Sequence, residues 1–471
     1  VTRDIGGTPR PVDFDVVVAG GGNAGLCAAI VAAESGARVM VAERAPRPFR
    51  GGNTRHTRNV RNAHLGADGF VTGAYAEDEL LADLVSVTGD ELDLELARLA
   101  IAESVTVAPW MGRHGIAWQK PLRGTLGLAR TNHFFLGGGK SLVNAYYRVA
   151  ERLGITVRYE TAVVDLIANG GAVGGVVVDR GGERATVRCR AFVAAAGGYE
   201  ANIPWLRESW GPAAERFAVR GTPFNDGLLL RALLDRSARP AGNPRGAHCI
   251  AVDARGPDFD GGIVTRLDTV PLGVVVDRVG RRFYDEGEDI WPKRYAIWGR
   301  LVAEQADQVA YSIVDGWALE RIVAPLFRPI EAASVGELAE ALEIPPDALI
   351  ATMDAYAAAV RPDAEVDLAR LDGCGTVGLV PPKSNWARPF RAPPWFAFPL
   401  RPGITFTYLG VKVDGSARVQ WDRDALEGVF AAGEIMAGNI LTRGYLGGFG
   451  LTIGHTFGRI AGREAAAHAL G

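Results

Sequence analysis

Lysine is nearly missing from this chain. Of its 51 basic residues only five are lysine (Lys120, Lys140, Lys293, Lys383 and Lys412), and the other 46 are arginine. Set against 54 acidic residues, this gives a net charge of −3, without the positive excess that nucleic acid or an anionic membrane surface would demand. A GC-rich coding sequence accounts for most of such an arginine bias. Arginine also suits bidentate carboxylate binding, so arginines near any chemistry need individual inspection. Cysteine is scarce too. Cys27, Cys189, Cys249 and Cys374 lie far apart without C-x-x-C spacing, which argues against zinc, iron–sulfur clusters and a disulfide framework. A reducing cytoplasm is the compartment expected. No apolar run reaches membrane-spanning length, and the opening VTRDIGGTPRPVDFD has no apolar signal-peptide core. At 471 residues the chain exceeds one compact core, so two domains are expected.

What the chain does contain is concentrated near its start. Residues 15 to 43, DVVVAGGGNAGLCAAIVAAESGARVMVAE, read as an apolar strand, a glycine turn, a small-residue helix, a second strand and an acid. Gly20, Gly22 and Gly25 stand in G-x-G-x-x-G spacing. The first permits a tight turn, the second lets backbone approach a pyrophosphate, and the third lets the following helix pack on the strand. Asn23 and Ala24 open that helix, whose free amides and positive dipole end suit phosphates. Glu43 sits where a carboxylate accepts hydrogen bonds from ribose hydroxyls. The fold class expected is α/β, with a Rossmann-like dinucleotide-binding domain.

Farther along, GGNTRHTRNVRNAH (51–64) is polar and arginine-rich, too irregular for a core element, and reads as a loop near a ligand. Residues 90–115 carry a helical apolar pattern. The run GGGK (137–140) leads into a helix over 141–153, either as a plain loop-to-helix turn or as a cofactor edge. Short strands alternating with glycine turns over 155–190 predict a β-meander. The buried strand AFVAAAGG ends in Gly197 and Gly198, where backbone can lie beside a cofactor. A change of texture marks 245–380 as an inserted α+β substrate-capping domain, and the Pro- and aromatic-rich stretch 381–403 as the return linker. The dinucleotide domain then takes 1–244 and 381–471.

A dinucleotide unit completed by a C-terminal strand, AAGE and a glycine-rich helix start is more than a nicotinamide domain requires. In this the chain resembles FAD flavoproteins of the fumarate reductase and succinate dehydrogenase family. The resemblance is carried by AGGGNAG with Glu43, GGNT, AAAGGYEAN, FNDG, VGRRFYDEG, AAGE and LGGFG. Within that family, GGNTRHTRN, RTNHFFLGGGKSLVNAYY, RGAHCIAVDAR and RRFYDEGEDIWPKRYAIWGR are most similar to tricarballylate dehydrogenases, which use FAD to oxidise a propane tricarboxylate to cis-aconitate. The resemblance implies that Gly20, Gly22, Gly25 and Glu43 hold the adenosine diphosphate. Gly52, Asn53, Thr54, Asp226 and Glu434 would line the ribityl and flavin portions, and the helix opening at Gly447 and Gly448 would point its positive end at the flavin. Asn53 stands where succinate dehydrogenases carry the histidine that holds flavin covalently, with His56 three residues beyond, so non-covalent FAD is expected.

Removing two hydrogens from a saturated carboxylate requires cations beside the carboxylate, a base for one hydrogen and flavin for the other. By resemblance, Arg443 is the substrate arginine before LGG, two residues farther from it than usual, with Tyr445 in the unshifted position. His248 follows the active-site histidine, and Arg294 the proton-transferring arginine, with Tyr445 the runner-up for that role. By itself a lone histidine reads as structural, Arg294 as a solvated helix-start charge and Arg443 as a turn cap. Three departures stand out. Thr405 and Phe406 replace paired histidines, Asn53 replaces the covalent attachment point, and Arg266 and Thr269 replace the Glu and Arg of the fumarate reductase proton relay. A guanidinium at Arg266 would welcome an additional carboxylate. The expectation is an FAD-dependent dehydrogenase of small polycarboxylates with an unidentified electron acceptor. A reductive enzyme and a desaturase of another carboxylate or ketone remain open beside it, as does a non-catalytic flavin-binding protein.

Overall fold

The computed structural model describes residues 12–89, 91–122, 124, 126–391 and 393–471. Residues 1–11, most of the opening expected to lack a signal-peptide core, lie outside the described residues. Five short parallel strands form the central sheet, in the order Val429–Ala431, Ala191–Ala194, Val16–Ala19, Val39–Ala42 and Thr156–Arg158. The inner three are uninterrupted apolar runs with every residue buried, as in a parallel sheet covered on both faces. The chain order reverses beside Val16–Ala19, and in open sheets a crevice forms there, at the carboxyl ends of the strands. Gly20, Glu43, Ala195 and Ala432 are the residues that follow those ends.

The helix Asn23–Glu34 covers this sheet, and the final helix Phe449–Leu470 packs along it. Their approach depends on small residues spaced by four, which fall on one stripe of each helix. A Cβ added to Gly458 would lie 2.5 Å from the Ala24 carbonyl oxygen, and one on Gly462 would lie 2.3 Å from that of Ala28. The first and last helices are thus held backbone to backbone.

A second sheet of six strands is built around the thirteen-residue strand Trp395–Thr407. It pairs with Ala218–Val219, Ala247–Asp253, Ala310–Asp315 and Ile330–Ala332, and Val274–Asp277 extends the edge. This departs from the expectation of a linker over 381–403 and an insertion confined to 245–380, since the sheet draws strands from Ala218 to Thr407. Pro399 and Pro402 disguise the strand, because proline cannot donate to a ladder. Both lie where the strand changes partners: residues 395–400 pair with Ala310–Asp315, and residues 400–407 with Ala247–Asp253.

Residues 51–64 also depart from expectation, forming the 3₁₀ helix Gly52–His56 and the buried strand Asn59–Arg61. The polar side chains of Asn59 and Arg61 tolerate burial because each finds a partner. Arg61 Nε donates to the Gly447 carbonyl at 2.9 Å, and Asn132 Nδ2 donates to Asn59 Oδ1 at 2.9 Å. The meander forms as Ala162–Asn169, Ala172–Arg180 and Glu183–Arg188, all antiparallel. Among the described residues no helix is long and apolar enough to cross a membrane.

The helix contact is testable by its sign. In an exposed helix interior, Gly→Ala raises stability by about 1 kcal/mol. Gly462→Ala should instead lower the thermal midpoint, because its methyl would meet the Ala28 backbone. A raised midpoint would show that the two helices have room to spare.

Candidate active site

A cleft runs from Gly20–Ala24 and Glu43, past Asn53 and Thr54, to Gly447 and Gly448. At its first end Gly20 has φ +103° and passes so close to the strand Ala191–Ala194 that a Cβ would lie 2.3 Å from the Ala195 carbonyl oxygen. Gly25 lies outside the lining and serves packing, since its Cβ would fall 1.9 Å from the Gly20 oxygen. Glu43 is buried and accepts from the amides of Gly21 (3.2 Å), Ala45 (2.9 Å) and Gly51 (3.1 Å). Burial pushes its carboxyl above the ordinary range, against the pull of those amides.

The middle of the cleft is polar and closely held. The Asn23 amide donates to Thr54 Oγ1 at 2.9 Å. Asn53 spends its amide on Glu200 Oε1 (2.6 Å), the Thr405 carbonyl (2.7 Å) and the Thr222 amide (2.9 Å). Asp226 pairs with Arg44, and Glu434 accepts from the Thr407 amide at 2.8 Å. Gly197 and Gly52 complete the lining. At Gly52 (φ +53°) nothing lies closer than 4.0 Å to the place a Cβ would take, so the backbone leaves that space to a ligand. Past Gly448 (φ +89°) the 22-residue helix Phe449–Leu470 begins with its amide end at the cleft, where the Gly450 amide donates to the Tyr445 hydroxyl at 3.1 Å. The glycine cradle, the buried acid at the strand end and the positive end of the final helix suit FAD, and these residues would hold it.

The flavin end is crowded with cations. Arg220 is buried with only neutral partners, the Thr405 hydroxyl at 2.8 Å and the Gly262 carbonyl at 3.3 Å, and its Nε has none. Arg266 pairs with Asp268 (Nε–Oδ1 2.8 Å), and Arg58 approaches the same carboxylate at 3.9 Å with Nε and Nη2 unpartnered. Asp268 is thus shared, and the two arginines hold its carboxyl below the usual range despite burial. Burial and mutual repulsion lower Arg58 and Arg220 to about 10. His248 stacks on Tyr445 with ring centroids 4.0 Å apart, and its buried Nε2 has no partner. Tyr295 meets the same imidazole edge-on at 5.3 Å.

A bulge explains how two consecutive residues reach this end. His248 pairs with Phe406 and Cys249 with Ile404, leaving Thr405 as the extra residue. Thr405 and Phe406 therefore both line the cleft, one anchoring Arg220 and the other presenting an apolar face.

The structure brings His248, Arg266 and Tyr445 together with the expected cofactor residues, but turns Arg294 and Arg443 away. Both line a separate cavity. Arg294 is held by Glu288 and Tyr284, so its proton is fixed by an acid partner. Arg443 lies across the Gly89 backbone and donates to the Thr88 carbonyl at 3.4 Å. Sequence reasoning missed Arg58, Arg220 and Tyr295. Tyr295 is one residue beyond Arg294, where the short helix Trp291–Arg294 passes into a 3₁₀ turn, and the two side chains open on different cavities.

The geometry defines a flavin-binding protein, and comparison with known proteins agrees. A family model described as FAD binding domain matches residues 15–451. The chain belongs to the FAD-binding flavoproteins of the fumarate reductase and succinate dehydrogenase family, and FAD is its cofactor. It is 27% identical to an NADH:fumarate oxidoreductase of Klebsiella pneumoniae, across 99% of this chain and 49% of that protein. The chain spans about half the length of that relative. Identity is also 27% to a 4-oxocyclohexanecarboxylate 2-dehydrogenase of Sinomonas cyclohexanicum, across 99% and 95%. The open conformation of a flavocytochrome c3 fumarate reductase shares the fold, with TM-score 0.75, 22% identity, and coverage of 97% and 79%.

The cation cluster has a consequence for stability. Burial, then Arg220 and Arg266, push His248 well below its ordinary pKa, and His56, His133 and His455 are displaced the same way. A histidine neutral when folded but protonated when unfolded makes stability fall as pH drops below about 6.5. Unfolding free energy should decline from about pH 7 to about pH 5, and His248→Asn should flatten that slope by up to about 1.4 kcal/mol per pH unit. An unchanged slope in denaturant titrations would mean that the folded imidazole already carries a proton.

Proposed function

We propose that the protein is an FAD-dependent dehydrogenase that desaturates a small polycarboxylate, of the tricarballylate to cis-aconitate type. One observation carries the reading. Two guanidiniums at the flavin end, those of Arg58 and Arg266, share a single carboxylate, Asp268, and Arg220 has no anionic partner among the described residues. Unpaired buried cations are costly, and a substrate carboxylate relieves that cost. Arg220 and Arg266 would hold carboxylates and favour charge developing on the adjacent carbon. Bound FAD supplies the hydride acceptor, and an external acceptor takes the electrons onward. The same residues serve the reductive direction, as the relatives named for fumarate reduction suggest. A second reading, desaturation of a keto acid, is supported by the apolar wall of Phe406 and Tyr445 and by the relative named for a cyclic oxo-carboxylate.

The direct test mixes purified protein anaerobically with di-, tri- and oxo-carboxylates while flavin absorbance is followed. Bleaching by a tricarboxylate supports the first reading, and bleaching by the oxo acid alone supports the second. Arg220→Ala should weaken tricarboxylate binding about tenfold to a hundredfold, the cost of a charge-assisted contact, with FAD content unchanged. Undiminished affinity would remove the arginine from the substrate site. We further infer non-covalent attachment from the fully engaged amide of Asn53, so acid precipitation should release yellow FAD into the supernatant. Colour retained by the pellet would point to His56, which also lines the cleft.

A further inference from the structure

With Arg294 in the other cavity, the proposed reaction needs a different proton acceptor. The titratable groups that line the cleft can be taken in turn. Glu43 is occupied by three amides at the adenosine end. His56 is bound to Asp260 at 2.6 Å, and Asp226 is paired with Arg44. Glu434 is turned onto the Thr407 amide and faces the buried Glu200. His248 would gain a positive charge beside Arg220 and Arg266, which disfavours it as a base. The Tyr445 hydroxyl accepts from the Gly450 amide at 3.1 Å and faces Tyr295 and Glu434, both of which oppose its phenolate.

Tyr295 is placed differently. Its hydroxyl lies 3.4 Å from where a Cβ on Gly447 would sit, just before the start of the final helix. The Arg266 guanidinium carbon is 5.0 Å from the centre of its ring, and the imidazole of His248 meets its edge. The charges around it are Arg58, Arg61, Arg220 and Arg266 on the positive side and Asp268 on the negative, with His248 neutral and Tyr408 and Tyr445 protonated. Burial pushes the phenol above its ordinary value, and Arg266, Arg220 and Arg61 pull it back toward ionisation.

We propose that Tyr295 is the proton-transferring residue of this site, its phenolate taking the hydrogen from the carbon beside a substrate carboxylate held by Arg220 and Arg266. This rests on the dehydrogenase reading above. In the oxidative direction the C–H bond breaks and the proton joins the phenolate oxygen. The electron pair closes the new C=C bond as the hydride on the neighbouring carbon leaves for FAD, the two-electron oxidant. In the reductive direction the phenol returns the proton. The cations lower the energy of both charges that build up, on the phenolate before transfer and beside the carboxylate during it.

The experiment compares wild type with Tyr295→Phe, which deletes one hydroxyl. Expected in the variant are normal FAD content, an unchanged thermal midpoint and a calorimetric Kd for tricarboxylate within about twofold of wild type. Anaerobic bleaching should slow at least about a hundredfold, the scale of general acid–base catalysis. The wild-type rate should rise about tenfold per pH unit from neutral toward the phenol pKa, and the residual variant rate should lose that dependence. Equal bleaching rates, or the same pH slope in both proteins, would overturn the assignment and leave the dehydrogenase reading intact. Wild type that binds carboxylates yet bleaches with none of them would sink both.

Discussion

Everything at the cleft depends on how closely the first and last helices approach. Ala24 and Ala28 face Gly458 and Gly462 with no room for one further methyl group, so the helix axes are fixed by backbone contact and not by interlocking side chains. Two amide ends 426 positions apart in the chain, at Asn23 and Phe449, are thereby set along one crevice. A dinucleotide with an anionic middle and an electron-accepting head can be held by both ends at once. The terminal segment is therefore part of the cofactor site and not an appendage to it.

The substrate end rests on a different device, an accumulation of charge that the protein itself does not balance. Arg58, Arg220 and Arg266 arrive from a buried edge, the start of the second sheet and the segment before Val274–Asp277; Arg58 and Arg266 meet at one aspartate, and Arg220 lies beside them without it. Packing alone would not assemble them, because each costs desolvation and repels the others. A folded chain can carry such an arrangement when the rest of the core is large, and here two apolar clusters supply that reserve.

The dinucleotide half was legible in the sequence because its signals are local. Glycine spacing, a small-residue helix and an acid at the strand end each have a fixed backbone meaning, and the strand, turn, helix and second strand form where they were read. The substrate half was harder. Trp395–Thr407 was hidden by two prolines that sit at a change of pairing partner, a tertiary circumstance that no local pattern announces. Arg294 and Tyr295 are adjacent in sequence but open on different cavities. Arg58 and Arg220 were invisible for the reason that lysine is so rare: with 46 arginines, identity alone carries no information, and only burial without a partner separates a working guanidinium from a solvated one.

The long strand also has a mechanical meaning. At one end Trp395–Thr407 is woven into the second sheet, while at the other Thr405 and Thr407 are bonded to Asn53 and Glu434 in the dinucleotide half. It is a tether across the junction between the two bodies. Arg58 stands on one side of that junction, and Arg220 and Arg266 stand on the other. Asp268 stands between Arg58 and Arg266, so one carboxylate joins the two sides by charge where the strand joins them by hydrogen bonds.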